Sequence, residues 1–411
     1  MFRLTQFLGE IDNPTPAGPR RDPPGPVVIW NLIRRCNLTC KHCYAISADK
    51  DFPGELTTQQ VHEVLDDLKK FRVPALILSG GEPLLRSDIF DISRRARSMG
   101  FYVGLSTNGT LIDETIIADI TGVGYDYVGV SIDGMRDTHD RFRRLDGAFD
   151  KSMHGVRLCV ERGLKVGLRF TMTQDNATEL PDMLDMLADE NIDRFYFSHL
   201  NYAGRGNHNR KDDAFFAMTR NAMDLLFERC LEGIRSGDPR EFVTGNNDAD
   251  GVYLLQWVMR NFPDHAAHMR EKLVQWGGNA SGVNVANIDN VGEVHPDTMW
   301  WHYGLGNVKE RPFSEIWCDT SDPLMAGLKA RPRKLKGRCG QCQHVDICGG
   351  NTRVRADQIT GDPWAEDPAC YLDDVEIGVD GEDSSERVTL MPFSGSRGRR
   401  SGAKSNARKA V

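Results

Sequence analysis

The sequence has no apolar run of about 18 residues, the length a membrane-spanning helix requires, so no such span is expected. It also lacks a basic excess: 51 Lys and Arg stand against 59 Asp and Glu, a net charge of −8. Nonspecific nucleic-acid binding needs the opposite sign, so that class is set aside. The opening stretch MFRLTQFLGEIDNPTPAGPRRDPPGP has no long apolar core followed by a small-residue cleavage site. No secretory signal is read there, and a cytoplasmic protein is expected. What remains is ordinary globular composition, 40% apolar and 27% charged. A chain of 411 residues is long enough for one large α/β domain with a smaller extension.

Ten cysteines are present, and a reducing compartment disfavours disulfides. Cys159, Cys230 and Cys318 are isolated, as small buried apolar residues often are. The other seven fall into two groups with short gaps. Cys36, Cys40 and Cys43 lie in CNLTCKHCY; Cys339, Cys342 and Cys348 lie in RCGQCQHVDICGGN, with Cys370 further on. Such spacing is typical of metal sites.

Pro and Gly crowd residues 13–26, so residues 1–26 read as an extended lead-in. Beyond it, Val27–Ile33, Ala75–Ser79, Phe101–Ser106, Asp126–Ser131, Lys165–Met172 and Arg194–Ser198 have strand composition. Helix-period segments separate them. Over Thr57–Val73 a capping box, Thr57 with Gln60, precedes Val61, Val64, Leu65, Leu68 and Phe71 at helical spacing. Similar segments lie near Ser87–Met99, Glu114–Ile120, Lys151–Arg162 and Asn176–Glu190, with Gly100, Gly124 and Gly163 as stops. Successive βα units imply a parallel sheet with right-handed crossovers. Six units are too few for a closed eight-stranded barrel, so residues 27–210 are expected to form an α/β fold, a partial (β/α)6 TIM-like barrel. Residues 211–275 read as a helical connector. Residues 276–377 read as a small domain whose Gly- and Asn-rich start suggests a β-hairpin. Residues 378–411 read as a disordered tail.

Three thiolates can hold three irons of a 4Fe-4S cluster and leave the fourth open to a small molecule. Structural zinc wants four closed ligands, and the fourth at hand, His42, sits inside the same tight loop. The triad resembles the signature of the radical S-adenosylmethionine (SAM) superfamily, and Gly80-Gly81-Glu82-Pro83 after the second strand resembles that family's next motif. The resemblance implies a radical SAM partial barrel in which the open iron of a cluster on Cys36, Cys40 and Cys43 chelates SAM. One electron then cleaves SAM to a hydrogen-abstracting 5′-deoxyadenosyl radical. It further implies that Gly80, Gly81, Glu82 and Pro83 receive the SAM amino group. Ser106, Asn108, Ser131 and Asp133 would meet its ribose and methionyl parts, Tyr44 its adenine and Arg169 its carboxylate. Turn, cap and salt-bridge roles stay open for these residues.

The second cysteine group resembles the SPASM/twitch extension of the same superfamily. Four thiolates, Cys339, Cys342, Cys348 and Cys370, satisfy a 4Fe-4S cluster completely. A zinc ribbon would pair two Cys-x-x-Cys knuckles, and only one is present. Asn279, Asp297 and Thr352 fall where ligands of a further cluster would align, so one auxiliary cluster is expected rather than two.

Two segments bear on substrate. HLNYAGRGNHNRKDD offers Arg205, Arg210 and Lys211 to carboxylates, or is a solvated loop. VHPDTMWWHYG offers His295, Trp300, Trp301 and His302 as stacking surface and axial ligand for a flat macrocycle, or packs the tryptophans in a core. The stretches GPVVIWNLIRRCNLTCKHCY, LILSGGEPLL, VQWGGNASGVNVANID and HPDTMWWH resemble the radical SAM branch of heme d1 and alternative heme biosynthesis. The resemblance implies an iron-tetrapyrrole substrate, didecarboxysiroheme, that loses two propionate side chains. It also implies an electron donor such as flavodoxin or ferredoxin. Two rivals stay open: a peptide maturase forming thioether or carbon–carbon cross-links, and a non-catalytic iron–sulfur carrier. A carrier has no use for a SAM pocket.

Overall fold

The structure is a computed structural model describing residues 1–16, 18, 25–238 and 240–379. The expected disordered tail lies, from residue 380 on, outside the described residues. The chain opens with β1 (Phe2–Arg3) and α1 (Leu4–Asp12). Then come β2 (Val27–Asn31), α2 (Thr58–Lys70), β3 (Ala75–Ser79), α3 (Ile89–Ser98), β4 (Tyr102–Thr107), α4 (Ile116–Val123) and β5 (Tyr127–Ser131). After α5 (Arg136–Arg143) and α6 (Ala148–Glu161) follow β6 (Val166–Met172), α7 (Leu180–Asp189) and β7 (Arg194–His199). Strands β2 to β7 pair in parallel, each with the next, as the βα alternation predicts. The capping box forms: the Thr57 side chain accepts from the Gln60 backbone, and Gln60 Oε1 accepts from Thr57 N at 2.9 Å.

Strand periodicity divides the sheet chemically. Val28, Trp30, Leu76, Leu78, Val103, Leu105, Val128, Val130, Leu168, Phe170, Phe195 and Phe197 are buried. The opposite parity carries Asn31, Ser79, Ser106, Ser131, Arg169 and Tyr196 at or near the C-terminal strand ends. One face is therefore core, and the other is a polar inner wall.

Three expectations need correction. First, residues 1–12 are not extended. Leu4, Phe7, Leu8 and Ile11 are buried on one helical face, and Phe2 packs on Phe7 and Trp276. The Pro/Gly texture of residues 13–26 masked this periodicity. Second, residues 211–275 are not wholly helical. Between α8 (Gly204–His208), α9 (Phe216–Ser236) and α10 (Ala249–Asn261) runs β8 (Glu241–Gly245), parallel to β7 and antiparallel to β1. Its five residues are too few to show a period against the charged background. Third, after α11 (Ala266–Trp276) the expected hairpin forms from β9 (Val285–Ile288) and β10 (Glu293–His295), but β9 also pairs in parallel with β2. With β11 (Gly306–Asn307) the order is β1-β8-β7-β6-β5-β4-β3-β2-β9-β10-β11. The cysteine-rich region thus continues the barrel sheet, which stays open. Among the described residues, no helix is long and apolar enough to cross a membrane.

Glu10 anchors α1. Burial raises its carboxyl pKa, but bonds from Thr15 and contacts with His268 and Lys272 more than offset this and bring it to about 2. A depressed carboxyl contributes stability that is complete above its unfolded value and is lost as pH falls through the folded one. Urea unfolding should therefore show a loss on the order of 3 kcal/mol between about pH 5 and pH 2 that Glu10→Gln abolishes. Identical acid profiles for the two proteins would contradict the assignment.

Candidate active site

The first cysteine group occupies the loop between β2 and α2. Cys36 and Cys40 are buried with Leu38, and Cys43 packs against them. Each sulfur accepts an N–H: Cys36 from Leu38 N at 3.4 Å, Cys43 from Ser47 N at 3.4 Å, and Cys40 from Arg143 Nη1 at 3.4 Å. Burial pushes the Cys36 and Cys40 thiols up, so they keep their protons until something positive replaces them.

The GGEP loop clamps the cysteine loop from the next strand. Gly81 N donates to Ile33 O at 2.6 Å and Glu82 N to Arg35 O at 2.9 Å. A Cβ at Gly81 would lie 2.2 Å from Arg35 O, and one at Gly80 2.5 Å from Ile33 O. Only glycine permits this approach. Pro83 is buried and opens a short 3₁₀ turn. The Glu82 side chain turns to the end of the next strand. Its carboxylate is fully buried and accepts from Thr107 Oγ1 at 2.8 Å, Asn108 N at 2.8 Å and Leu84 N at 3.2 Å. Burial raises its pKa to about 7. Glu82 thus ties the motif to the end of β4.

Asn108 donates to Asn37 Oδ1 at 2.9 Å and reaches Cys36 Sγ at 3.9 Å. Tyr44 OH accepts from Asn31 Nδ2 at 2.9 Å, and Asn31 also donates to Gly80 O at 3.2 Å. Arg169 donates to Ser106 Oγ and lies 5.3 Å from the Tyr196 ring centroid. Ser131 is its register partner on β5. Neither of these two contacts of the Arg169 guanidinium is with a carboxylate. The structure thus brings together Cys36, Cys40, Cys43, Tyr44, Gly80, Gly81, Ser106, Asn108, Ser131 and Arg169.

Sequence reasoning named Asp133 as a SAM contact but missed its partner Arg143 in the layer behind. Asp133 accepts from Thr171 N at 2.8 Å and forms a buried ion pair with Arg143, the residue that donates to Cys40. His42 lies 3.6 Å from Asp133, but burial lowers its pKa to about 4, so Arg143 supplies the positive charge. Nothing local marks Arg143; only the fold brings it to the loop. Arg205, read as a carboxylate ligand, instead holds the cysteine loop, donating to Cys40 O at 2.7 Å and Ser47 O at 3.0 Å. At the mouth, Trp301 meets Tyr44 edge-on at 6.1 Å and stacks on His295 at 6.2 Å. Trp300 is core, and His302 pairs with Asp357 at 2.8 Å.

The second group closes around one cavity. Cys339, Cys342, Cys348 and Cys370 line it together with apolar Ala249, Val252, Leu372 and Ile377. Cys342 accepts from His344 N at 3.3 Å, Cys348 from Gly350 N at 3.3 Å and Cys339 from Asp367 N at 3.4 Å. Asn279 bonds Asp248 at 3.0 Å and Arg333 at 3.0 Å, Ser281 donates to Asp297, and Thr352 donates to Asn246 O at 3.0 Å. Among the described residues, no three His, Cys, Asp or Glu side chains are placed around a single metal ion. A cluster is a larger body whose thiolates need not converge on one point.

An open parallel barrel with a cysteine triad at its mouth, clamped by a glycine motif, defines the class, and the chain belongs to the radical SAM superfamily. The model of that description matches residues 30–187. Pre-heme d1 synthase of Dinoroseobacter shibae is 56% identical over 399 residues, 97% of this chain and 98% of its own. Fe-coproporphyrin III synthase of Methanosarcina barkeri is 46% identical, over 86% and 89% of the two chains. The structure of Streptococcus suis SuiB bound to precursor peptide SuiA shares the fold, with a TM-score of 0.68 at 16% identity over 84% of this chain and 76% of that one. Membership implies SAM and a 4Fe-4S cluster.

Proposed function

We propose that this chain removes propionate side chains from an iron tetrapyrrole, didecarboxysiroheme, on the way to heme d1. The observation that carries the reading is the near full-length identity to pre-heme d1 synthase. Cys36, Cys40 and Cys43 hold the SAM-binding cluster. The fit rests on their common burial and on the N–H donor aimed at each sulfur, which suits a thiolate better than a thiol. When bound, that cluster supplies the electron that cleaves SAM to a hydrogen-abstracting radical. The GGEP backbone receives the SAM amino group and Arg169 its carboxylate. Tyr44 and Asn31 tie the cysteine loop to the inner wall.

The four remaining clustered cysteines hold an auxiliary 4Fe-4S cluster. Support comes from their sharing one apolar cavity and again from the N–H groups directed at their sulfurs. The macrocycle docks at the mouth, where half-buried Trp301 offers a ring beside Tyr44. Arg34 lies 5.6 Å from the Trp301 ring centroid and 4.7 Å from that of Phe52, a cation suited to a propionate. A flavodoxin- or ferredoxin-type donor supplies electrons.

Anaerobic incubation with SAM, dithionite and didecarboxysiroheme should yield 5′-deoxyadenosine together with a macrocycle lighter by its propionates, read by mass spectrometry. Formation of 5′-deoxyadenosine over an unchanged macrocycle would refute the substrate assignment.

A further inference from the structure

We propose that Arg353 is the fixed counter-charge of the auxiliary cluster, cancelling the charge of its fourth thiolate and so raising the cluster's reduction potential. The inference rests on the reading that Cys339, Cys342, Cys348 and Cys370 hold a 4Fe-4S cluster.

Arg353 is fully buried. Its donors go to Asn351 O at 3.4 Å, Pro363 O at 3.3 Å, Ala365 O at 2.5 Å and Cys339 Sγ at 3.8 Å. None of these partners is a carboxylate. A guanidinium cannot shed its proton, and an uncompensated ion in the interior is strongly unfavourable. Something anionic must balance it, and the sulfur it touches belongs to the four-cysteine cavity.

The neighbouring arginines differ. Arg355 is paired with Asp367 at 2.8 Å and Arg338 with Asp374 at 2.5 Å, and Arg333 is joined to Asp248 through Asn279, at 3.0 Å on each side. Each of those cations is already neutralised. The comparison with the first site is sharper still. Arg143 touches Cys40 Sγ just as Arg353 touches Cys339 Sγ, but Arg143 is ion-paired to buried Asp133.

The charge count follows. A cluster held by four thiolates carries one more negative charge than one held by three. Arg143 and Asp133 cancel and leave the three-thiolate site as it is. Arg353 adds one positive charge to the four-thiolate site and offsets that excess. Reduction adds an electron, and net charge with hydrogen bonds to sulfur sets the potential in a low-dielectric interior. The positive charge beside Cys339 therefore makes the auxiliary cluster easier to reduce.

The test is a potentiometric titration with dithionite, read by electron paramagnetic resonance, on the intact protein. Added SAM perturbs only the cluster with an open iron and so separates the two signals. Arg353→Gln should move the auxiliary midpoint negative by at least ~59 mV, a tenfold change for one electron, and leave the SAM-binding midpoint in place. Arg353→Lys should keep the wild-type midpoint. An unmoved midpoint in Arg353→Gln with its iron retained overturns the proposal, as does an equal shift in Arg353→Lys. Should Arg353→Gln lose its iron, Arg353→Lys decides: iron and midpoint retained support the charge, and their loss overturns it. Iron counting on a Cys36/Cys40/Cys43→Ala protein separates the failures. Absence of iron there removes the auxiliary cluster and this inference with it; iron present with an unmoved midpoint removes the inference alone.

Discussion

Replacing Cys36, Cys40 and Cys43 together by alanine should drop 5′-deoxyadenosine formation to the buffer background while iron falls from about eight to about four per chain. The argument is local. These sulfurs share one buried loop, and each takes at least one N–H donor from protein. The remaining four irons belong to a site built on other elements, α10 and the segments around Cys339 to Ile377, so they should survive. Loss of all iron would mean that the two sites assemble as one. Retention of SAM cleavage would remove the triad from the chemistry altogether.

Arg355→Met should destabilise the folded protein by about 3–5 kcal/mol in urea unfolding. Arg355 and Asp367 are both fully buried and joined by two hydrogen bonds, at 3.0 and 2.8 Å. Removing the cation leaves the Asp367 carboxylate in the interior with the Ala369 N–H, at 2.9 Å, as its one remaining hydrogen-bond donor among the described residues. The double change Arg355→Met with Asp367→Leu removes both charges and should recover most of the loss, because the pair's attraction chiefly offsets its own desolvation. The consequence reaches the cluster site. Asp367 N donates to Cys339 Sγ, and Cys370 lies three residues on, so the single variant should also bind iron at the auxiliary site less well. A loss below about 1 kcal/mol would show that the pair does not hold this wall together.

Much of this architecture can be read in the sequence, for definable reasons. The six βα units announce themselves because each strand is an apolar run between turn residues, and each helix repeats its buried positions within a few residues of chain. The cysteine groups and GGEP are legible because their chemistry depends on short spacing. What escaped is non-local. β8 is a five-residue strand that only its neighbours β7 and β1 define. Arg143 and Arg353 are ordinary arginines in sequence and acquire meaning only when folding sets them against a cysteine sulfur. Glu82 was legible as important, but its partners Thr107 and Asn108 sit on the next strand, so its role could not be read from the motif.

The N-terminal segment has a consequence for biosynthesis. Phe2 pairs with Thr244, and the apolar face of α1 packs against α9. About 230 residues separate these partners, which at 5–20 residues per second leaves an interval on the order of ten to fifty seconds. During that time α1 has an oily face and nothing to lay it on. Residues 2–12 thus wait for a partner made much later, and through that interval this face of the nascent chain is open to aggregation and to chaperone capture.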